Sequence, residues 1–531
     1  MKGMKNSTIT NLLLAALTLL FFASCKKSAD HNLAATKVQE AIDLSKIPFD
    51  STLVSSFFEK HPLLQKYQLD VNKLYRKYDY HYLWYDKNGS NEFASVVYNK
   101  IINLPEEGIE TTIPYKTELN LVYDSAKEST SPNTISELLT TALYFFYIDK
   151  VYHGIDAAKS NEMEWFLPRE KQTYTTYTDS LIIDPTLLKK DKKTLFSQYY
   201  LLKEQLKKYR EIEKKGGWDS ISLPQGYKTL KIGDSVLAIA QVRKRLFLDG
   251  FIKTNTESLV YDDDLADALV QFKKTRGFDG DKLLYGSTLN YLSTPVSSLI
   301  KTLVVNMERC RWVSKDISKA KQLIAINIPS YELSYFKNGE IVLKSNVVVG
   351  KTVNKTVIFS APMKYIVFSP YWNLPTSIIK KEILPAMAKD PNYLATHNME
   401  WNDGNVRQKP GVKNSLGLVK FLFPNSNAIY LHDTPSKHLF SRDQRAFSHG
   451  CIRVAKPVEL ANKIMEDDPN WNSQKIDEAM NKGKETWYTL KNKIPVYIGY
   501  FTAWEDRDGI LHFYDDVYKR DEALAVLLFT K

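Results

Sequence analysis

Two hydrophobic rhythms divide this chain. From Ile47 to Gln225, apolar and aromatic residues recur at i, i+3 and i+4, as Leu138, Leu139, Ala142, Phe145 and Phe146 do, and that period predicts helices. Leu195 to Lys215 continues the pattern and ends in Lys214, Lys215, Gly216 and Gly217. Cations and glycines favour a helix C-terminus, so a stop is expected there. Nothing in this half carries spaced catalytic groups, and it reads as a scaffold for packing and partner contact. Between Gly226 and Thr294 two further helical faces follow: Val236, Ile239, Ala240 and Leu246, capped at Asp234 or Ser235, then Leu265, Ala268, Leu269 and Phe272. Gly250 and Gly277 close them. Beyond Asn306–Val313 the period falls to two. Gln322–Ile328 and Ile341–Val349 read as strands joined through an Asn338-Gly339 turn, so the last third is predicted to be mainly β.

The N-terminus has another pattern. Lys2 and Lys5 precede an uncharged 13-residue run, Leu12–Ser24, the length of a signal-peptide core and too short to span a bilayer as a helix. Export is the expectation. Phe22-Ala23-Ser24-Cys25 resembles the lipobox of bacterial lipoproteins, with Phe22 where Leu is usual. That resemblance implies lipidation at Cys25 and a membrane anchor; ordinary cleavage leaving a free Cys25 is the alternative.

At 531 residues the chain has room for three or four domains of about 150 residues each. The net charge of +11 comes from lysines scattered among acids, without an arginine-rich arm, so nucleic acid is not an expected partner. Three cysteines, Cys25, Cys310 and Cys451, cannot form a multi-disulfide framework. Cys310 lies between two arginines in a helical link and reads as a half-buried structural thiol.

Chemistry concentrates in Ala428–Val454, AIYLHDTPSKHLFSRDQRAFSHGCIRV. Ala428–Leu431, including Tyr430, alternates like a strand that delivers His432 at its end. Ser448-His449-Gly450-Cys451 returns after a loop containing Pro435. A free thiol is mostly protonated at neutral pH, and an imidazole beside it can accept its proton to give a nucleophilic thiolate. Amides around Gly450 and Cys451 suit a developing oxyanion, with Ser448 and His449 shaping the turn.

His432, fifteen residues, then Ser448-His449-Gly450-Cys451-Ile452-Arg453 resembles the signature of the YkuD-fold L,D-transpeptidases. Pro370–Ile378, Pro410–Asn425 and the LHDTPSKHLF segment resemble their large YcbB-type branch. Likewise LADALVQFKKTRGFDGDKLLYGSTLNYL, with Phe272, Gly277, Asp279-Gly280, Gly286 and Thr288, resembles the peptidoglycan-binding-like module of wall enzymes.

The resemblance implies that Cys451 is the acylated nucleophile and His432 its base, oriented by the backbone carbonyl of Asp433. His449 and Gly450 would line the oxyanion site, and Arg453 would grip a stem-peptide carboxylate. Arg445 is a second carboxylate candidate, equally readable as structural, whereas His438 reads as exposed or structural. Residues 377–409 would form a lid, with Trp372, Tyr393 and Trp401 as cleft-lining candidates. The implied reaction is transfer between peptidoglycan stem peptides with loss of D-Ala, giving 3→3 cross-links; carbapenems acylate this cysteine in family members. Other wall-synthesis proteins are candidate partners.

The expected fold is a multidomain α+β chain. It comprises a signal peptide (1–24), lipoprotein tether (25–46), helical scaffold (47–225), three-helix peptidoglycan-binding-like module (226–295), helical link (296–320), mostly β catalytic domain (321–500) and C-terminal extension (501–531). Rivals fit less well. A papain-like peptidase places its histidine after the cysteine, and only His512 lies beyond Cys451. His432, His438, His449 and Cys451 match no zinc spacing, so no metal is implied, nor any other cofactor. A non-catalytic wall-binding protein would have lost Cys451 or His432, and an L,D-carboxypeptidase remains open because water can replace the acceptor.

Overall fold

The computed structural model describes residues 47–529 apart from 87–88, 125–131, 189–192 and 279. The expected signal peptide, tether, Cys25 and Asp279 lie outside the described residues. The chain forms two compact units.

The first unit holds residues 47–107, 111–152 and 171–193 and is built from helices. Its central helix, Thr134–Ile148, starts at Asn133, whose side chain accepts from the amides of Ile135 and Ser136. The helix is buried almost all round, from Glu137 to Ile148. Glu137 is fully buried on it, accepting from Tyr75 Oη (2.7 Å) and from the amides of Leu83 (2.6 Å) and Trp84 (3.1 Å). These donors satisfy the carboxyl.

The second unit holds residues 108–110, 153–170 and 194 onward. It contains the helix Ser197–Lys214, which the expected scaffold (47–225) also includes. That helix stops where expected, with Gly216 and Gly217 at positive φ. It packs on Val296–Arg311, the predicted link, which is a central buried helix. Polar groups on this helix are buried with partners. Glu308 accepts from Trp312 Nε1 (2.8 Å), Arg311 Nη1 (3.0 Å) and the Ile155 amide (2.6 Å). Arg309 pairs with Asp521 at 2.7 Å, and Asn306 exchanges hydrogen bonds with Thr502. The predicted C-terminal extension is therefore part of this core. Cys310 is fully buried, not half-buried, and burial pushes its thiol well up.

The small module has three helices, Leu237–Asp249, Asp263–Thr275 and Gly286–Leu292, around a core including Ile239, Leu246, Leu269 and Phe272. Asp262 caps the second helix through the Leu265 amide. The expected cap of the first is corrected: Asp234 instead accepts from the Lys231 amide at 2.8 Å, and the helix has no side-chain cap.

The large sheet has nine strands: β1 (Gln322–Asn327), β2 (Glu332–Lys337), β3 (Glu340–Gly350), β4 (Ser360–Phe368), β5 (Val419–Leu422), β6 (Leu431–His432), β7 (Ala446–Ser448), β8 (Ile452–Val454) and β9 (Thr486–Gly499). Their order is β7-β3-β8-β6-β5-β4-β9-β1-β2, and β2 also pairs with β3, closing the sheet. The turn between β2 and β3 has Asn338 and Gly339 both at positive φ, the geometry expected of a two-residue hairpin. The long β3 makes closure possible, pairing first with β2 and then, through Val347 and Val348, with β8.

The expected lid segment has its own core, in which Leu374, Ile378, Ile379, Ile383 and Val406 are buried. A three-stranded sheet, Met399–Asn402, Asn405–Gln408 and Trp372–Asn373, flanks it. Among the described residues no helix is long and apolar enough to cross a membrane.

Candidate active site

The register of β6 with β8 builds the site. The two strands run parallel, with Leu431 opposite Ile452 and His432 opposite Arg453, and the Ile452 amide donates to Tyr430 O at 3.1 Å. Side chains alternate along a strand, and register partners share a face. Continuing the register back by one pair sets Cys451 beside Tyr430, so Tyr430, His432, Cys451 and Arg453 lie on one side of the sheet. The antiparallel pairing of Lys420 with His432 adds Lys420 to that side.

His432 is buried, with Nδ1 2.5 Å from Asp433 O. A carbonyl can only accept, so Nδ1 carries the proton and Nε2 keeps its lone pair. Burial, aided by the Arg453 charge and opposed by the Asp433 carbonyl, lowers the imidazole pKa to about 4. His432 is thus neutral at pH 7. The Asp433 carboxylate serves elsewhere: it accepts from the amides of Leu418 (2.9 Å) and Thr434 (2.7 Å) and pairs with Lys437.

Cys451 Sγ donates to Ala428 O at 3.6 Å. Burial raises the thiol pKa, with hydrogen bonds from Tyr430 acting in the opposite sense. Tyr430's hydroxyl is pushed up by burial and by Cys451, against a hydrogen bond with Trp372, and its ring centroid is 5.7 Å from that of His432. The resting site therefore holds a neutral thiol and a neutral imidazole, and the thiol's hydrogen bonds run to Ala428 and Tyr430.

The predicted strand Ala428–Leu431 is corrected. Regular pairing begins only at Leu431, because Asn425 Oδ1 accepts from the amides of Asn427 and Ile429 and Ala428 sits at φ 53°. A turn brings Ala428 O to the thiol.

Ser448 spans the turn into Cys451, donating from Oγ to Cys451 O (2.6 Å) and accepting the Gly450 amide (3.1 Å). That amide, one of the expected oxyanion donors, is thereby engaged; the Cys451 amide meets no acceptor among the described residues. Gly450 has φ 117°, a conformation that favours glycine.

His449 is exposed, with Nε2 3.2 Å from Glu382 Oε1 on the lid segment. Trp372 packs against the lid core and pairs with Gln408. Trp401 is exposed, and Tyr393 stacks on His397. Arg453 lacks a partner at Nε, and burial alone lowers its pKa, with no carboxylate opposing. Arg445 is differently placed: its guanidinium donates to Arg442 O and Ser330 O and lies over Tyr331, which is anchoring. His438 is exposed on the short helix Lys437–Ser441.

Sequence reasoning missed Lys420, Glu382 and Thr356. Lys420 had a signal, a charge in the apolar strand VKFL; it donates to Tyr371 O (3.1 Å) and pairs with Glu485 (3.3 Å). Glu382 and Thr356 are recognisable only by what they touch.

Comparison with known proteins agrees with this architecture. Residues 321–477 match the profile of the YkuD L,D-transpeptidase catalytic domain, and residues 70–206 match that of a scaffold domain. A Haemophilus influenzae protein, whose L,D-transpeptidase designation is itself provisional, is 33% identical over 271 residues. The match covers 46% of this chain and 54% of that protein, so it spans about half the relative's length. Solved structures of L,D-transpeptidases from Mycobacterium smegmatis and Stackebrandtia nassauensis align at 13% identity and TM-score 0.20. They cover 34% and 51% of this chain and 58% and 94% of theirs, and at that score they add nothing to the assignment.

Proposed function

Through residues 321–477 the chain belongs to the YkuD L,D-transpeptidases, and from that premise we propose that it forms 3→3 peptidoglycan cross-links through a Cys451 acyl-enzyme. The observation that carries this reading is the shared sheet face of Cys451 and His432, with Nδ1 of His432 held by Asp433 O and Nε2 left as the acceptor.

In the proposed cycle His432 Nε2 takes the thiol proton as Sγ attacks the carbonyl joining the third residue of a tetrapeptide stem to D-Ala. The carbonyl π pair moves to oxygen, which the Cys451 amide supports. On collapse the C–N bond breaks, and the imidazolium protonates the departing D-Ala amine. An amine of a second stem attacks the thioester, passes its proton to His432 and restores the thiol. Arg453, with no carboxylate partner among the described residues, is suited to a stem carboxylate. Tyr430 borders the thiol and is hydrogen-bonded to Trp372, and His449 meets the lid at Glu382.

The proposal extends to the envelope. A chain anchored by lipid at Cys25 would hold this site on the periplasmic side of a membrane, with the small module against peptidoglycan. Incubation with a defined disaccharide-tetrapeptide tests the reaction. Cross-linked dimer is the expected product; tripeptide alone indicates carboxypeptidase action, and unchanged substrate favours a wall-binding role.

A further inference from the structure

The loop that presents Cys451 is held from behind by a closed set of hydrogen bonds reaching into the C-terminal segment. Thr356 is fully buried. Its Oγ1 donates to Gly450 O at 2.8 Å and accepts the Gly350 amide at 2.9 Å. Its own amide donates to Tyr518 Oη at 3.1 Å, and Tyr518 Oη donates to Gly350 O at 2.6 Å. Gly350 admits no side chain: a Cβ there would lie 2.1 Å from Asn354 O and 3.1 Å from Gly450 Cα.

Tyr518 is fixed in turn. Its amide donates to Tyr500 Oη (2.7 Å), its ring stacks on Tyr500 with centroids 5.7 Å apart, and Tyr500 Oη donates to Asp516 (2.5 Å). The 450–451 peptide is trans, so its carbonyl and amide point in opposite directions. Pinning Gly450 O on Thr356 therefore aims the Cys451 amide away from Thr356, where it meets no acceptor among the described residues.

We infer that Thr356 and Tyr518 are positioning residues that orient the Cys451 amide as an oxyanion donor, making the C-terminal segment a working part of the active site. This rests on the proposed acyl-transfer reading. Neither residue touches substrate. Removing the Thr356 hydroxyl frees the 450–451 peptide to rotate, which weakens stabilisation of a tetrahedral oxyanion and leaves the thiol itself unchanged.

The experiment compares two reactions of the same sulfur in the full chain by intact-protein mass spectrometry. Acylation by a carbapenem passes through an oxyanion, whereas alkylation by iodoacetamide at a saturated carbon does not. Thr356→Val should slow acylation about tenfold or more, with alkylation within about twofold of wild type, and Thr356→Ser should restore acylation. Tyr518→Phe, which keeps the stacked ring, should show a smaller loss of the same selective kind. It decides the matter if Thr356→Val does not fold. Acylation at the wild-type rate in Tyr518→Phe and in folded Thr356→Val, or equal loss of both reactions, overturns the inference alone. A wild-type chain that is alkylated but never acylated overturns the acyl-transfer reading on which it depends.

Discussion

His432 and Arg453 are register partners in the parallel pairing of β6 with β8, which sets a neutral imidazole against a guanidinium, two register positions beyond Cys451 and on the same face. Burial and the arginine charge act in the same direction, keeping the proton off Nε2, as the proposed transfer from Cys451 requires. The site thus differs from one poised as a thiolate–imidazolium pair.

Acid titration should reveal that lowered pKa. The second-order rate of acylation is expected to lose its acid limb near pH 4, where His432 protonates, not near its ordinary value of 6.5. The same shift has a stability consequence. Between those two values the unfolded chain binds more protons at this residue, so its contribution becomes progressively unfavourable as pH falls from 6.5 to about 4. His432→Ala should flatten that part of the stability–pH curve in chemical denaturation; an unchanged slope would contradict the assignment.

The buried thiol predicts slow reactivity at rest. Thiolate absorbance at 240 nm should be absent at pH 7 and emerge only above the ordinary cysteine value of 9.0. Iodoacetamide alkylation should rise with pH in parallel. A plateau in alkylation rate from pH 6 to 8 would indicate a preformed ion pair.

Arg453→Ala should act in two separable ways. Loss of a carboxylate grip is expected to raise KM by about tenfold or more. Loss of the positive charge should move the His432 pKa upward from about 4, readable in an NMR titration of the imidazole. An unchanged titration would mean that the charge is not felt across the strand pair.

In the helical unit, Glu137 gives a prediction of opposite sign. Burial raises its pKa to about 7, against 4.5 ordinarily. Its protonation-linked stability is fully present below 4.5 and is lost as pH rises through 7. Glu137→Ala should destabilise this unit by about 3 kcal/mol, because Tyr75 Oη and two buried amides lose their acceptor. Thermal melts of wild type and Glu137→Ala between pH 5 and 8 check both statements, with the pH-dependent decline confined to wild type.

Much of the architecture was legible because it rests on local pattern. The period of two foretold β1 and β3, and Asn338-Gly339 foretold a hairpin turn, since that dipeptide accommodates two positive φ angles; the turn joins β3 to β2, a strand that the sequence pattern did not separate. The resemblance to the family signature singled out Cys451 and His432 as candidates, and the strand register sets them on one sheet face. What failed was non-local or depended on side-chain competition. Ala428 broke a strand-like alternation because Asn425 folded the chain into a turn, and Asp234 closed a turn instead of capping a helix. No local pattern announces that Ser197–Lys214 packs about a hundred residues later in the chain, on Val296–Arg311. No periodicity announces that Asn306 and Arg309 will be buried against Thr502 and Asp521, or that Tyr518 will support Gly350.

The most direct measurement of the central claim is intact-protein mass spectrometry during turnover of a disaccharide-tetrapeptide by wild type, Cys451→Ala and His432→Ala. The account predicts an adduct on wild type with the mass of the stem lacking D-Ala, none on Cys451→Ala, and adduct formation slowed at least about a hundredfold in His432→Ala. D-Ala release by folded Cys451→Ala, or adduct formation at the wild-type rate in His432→Ala, would contradict it.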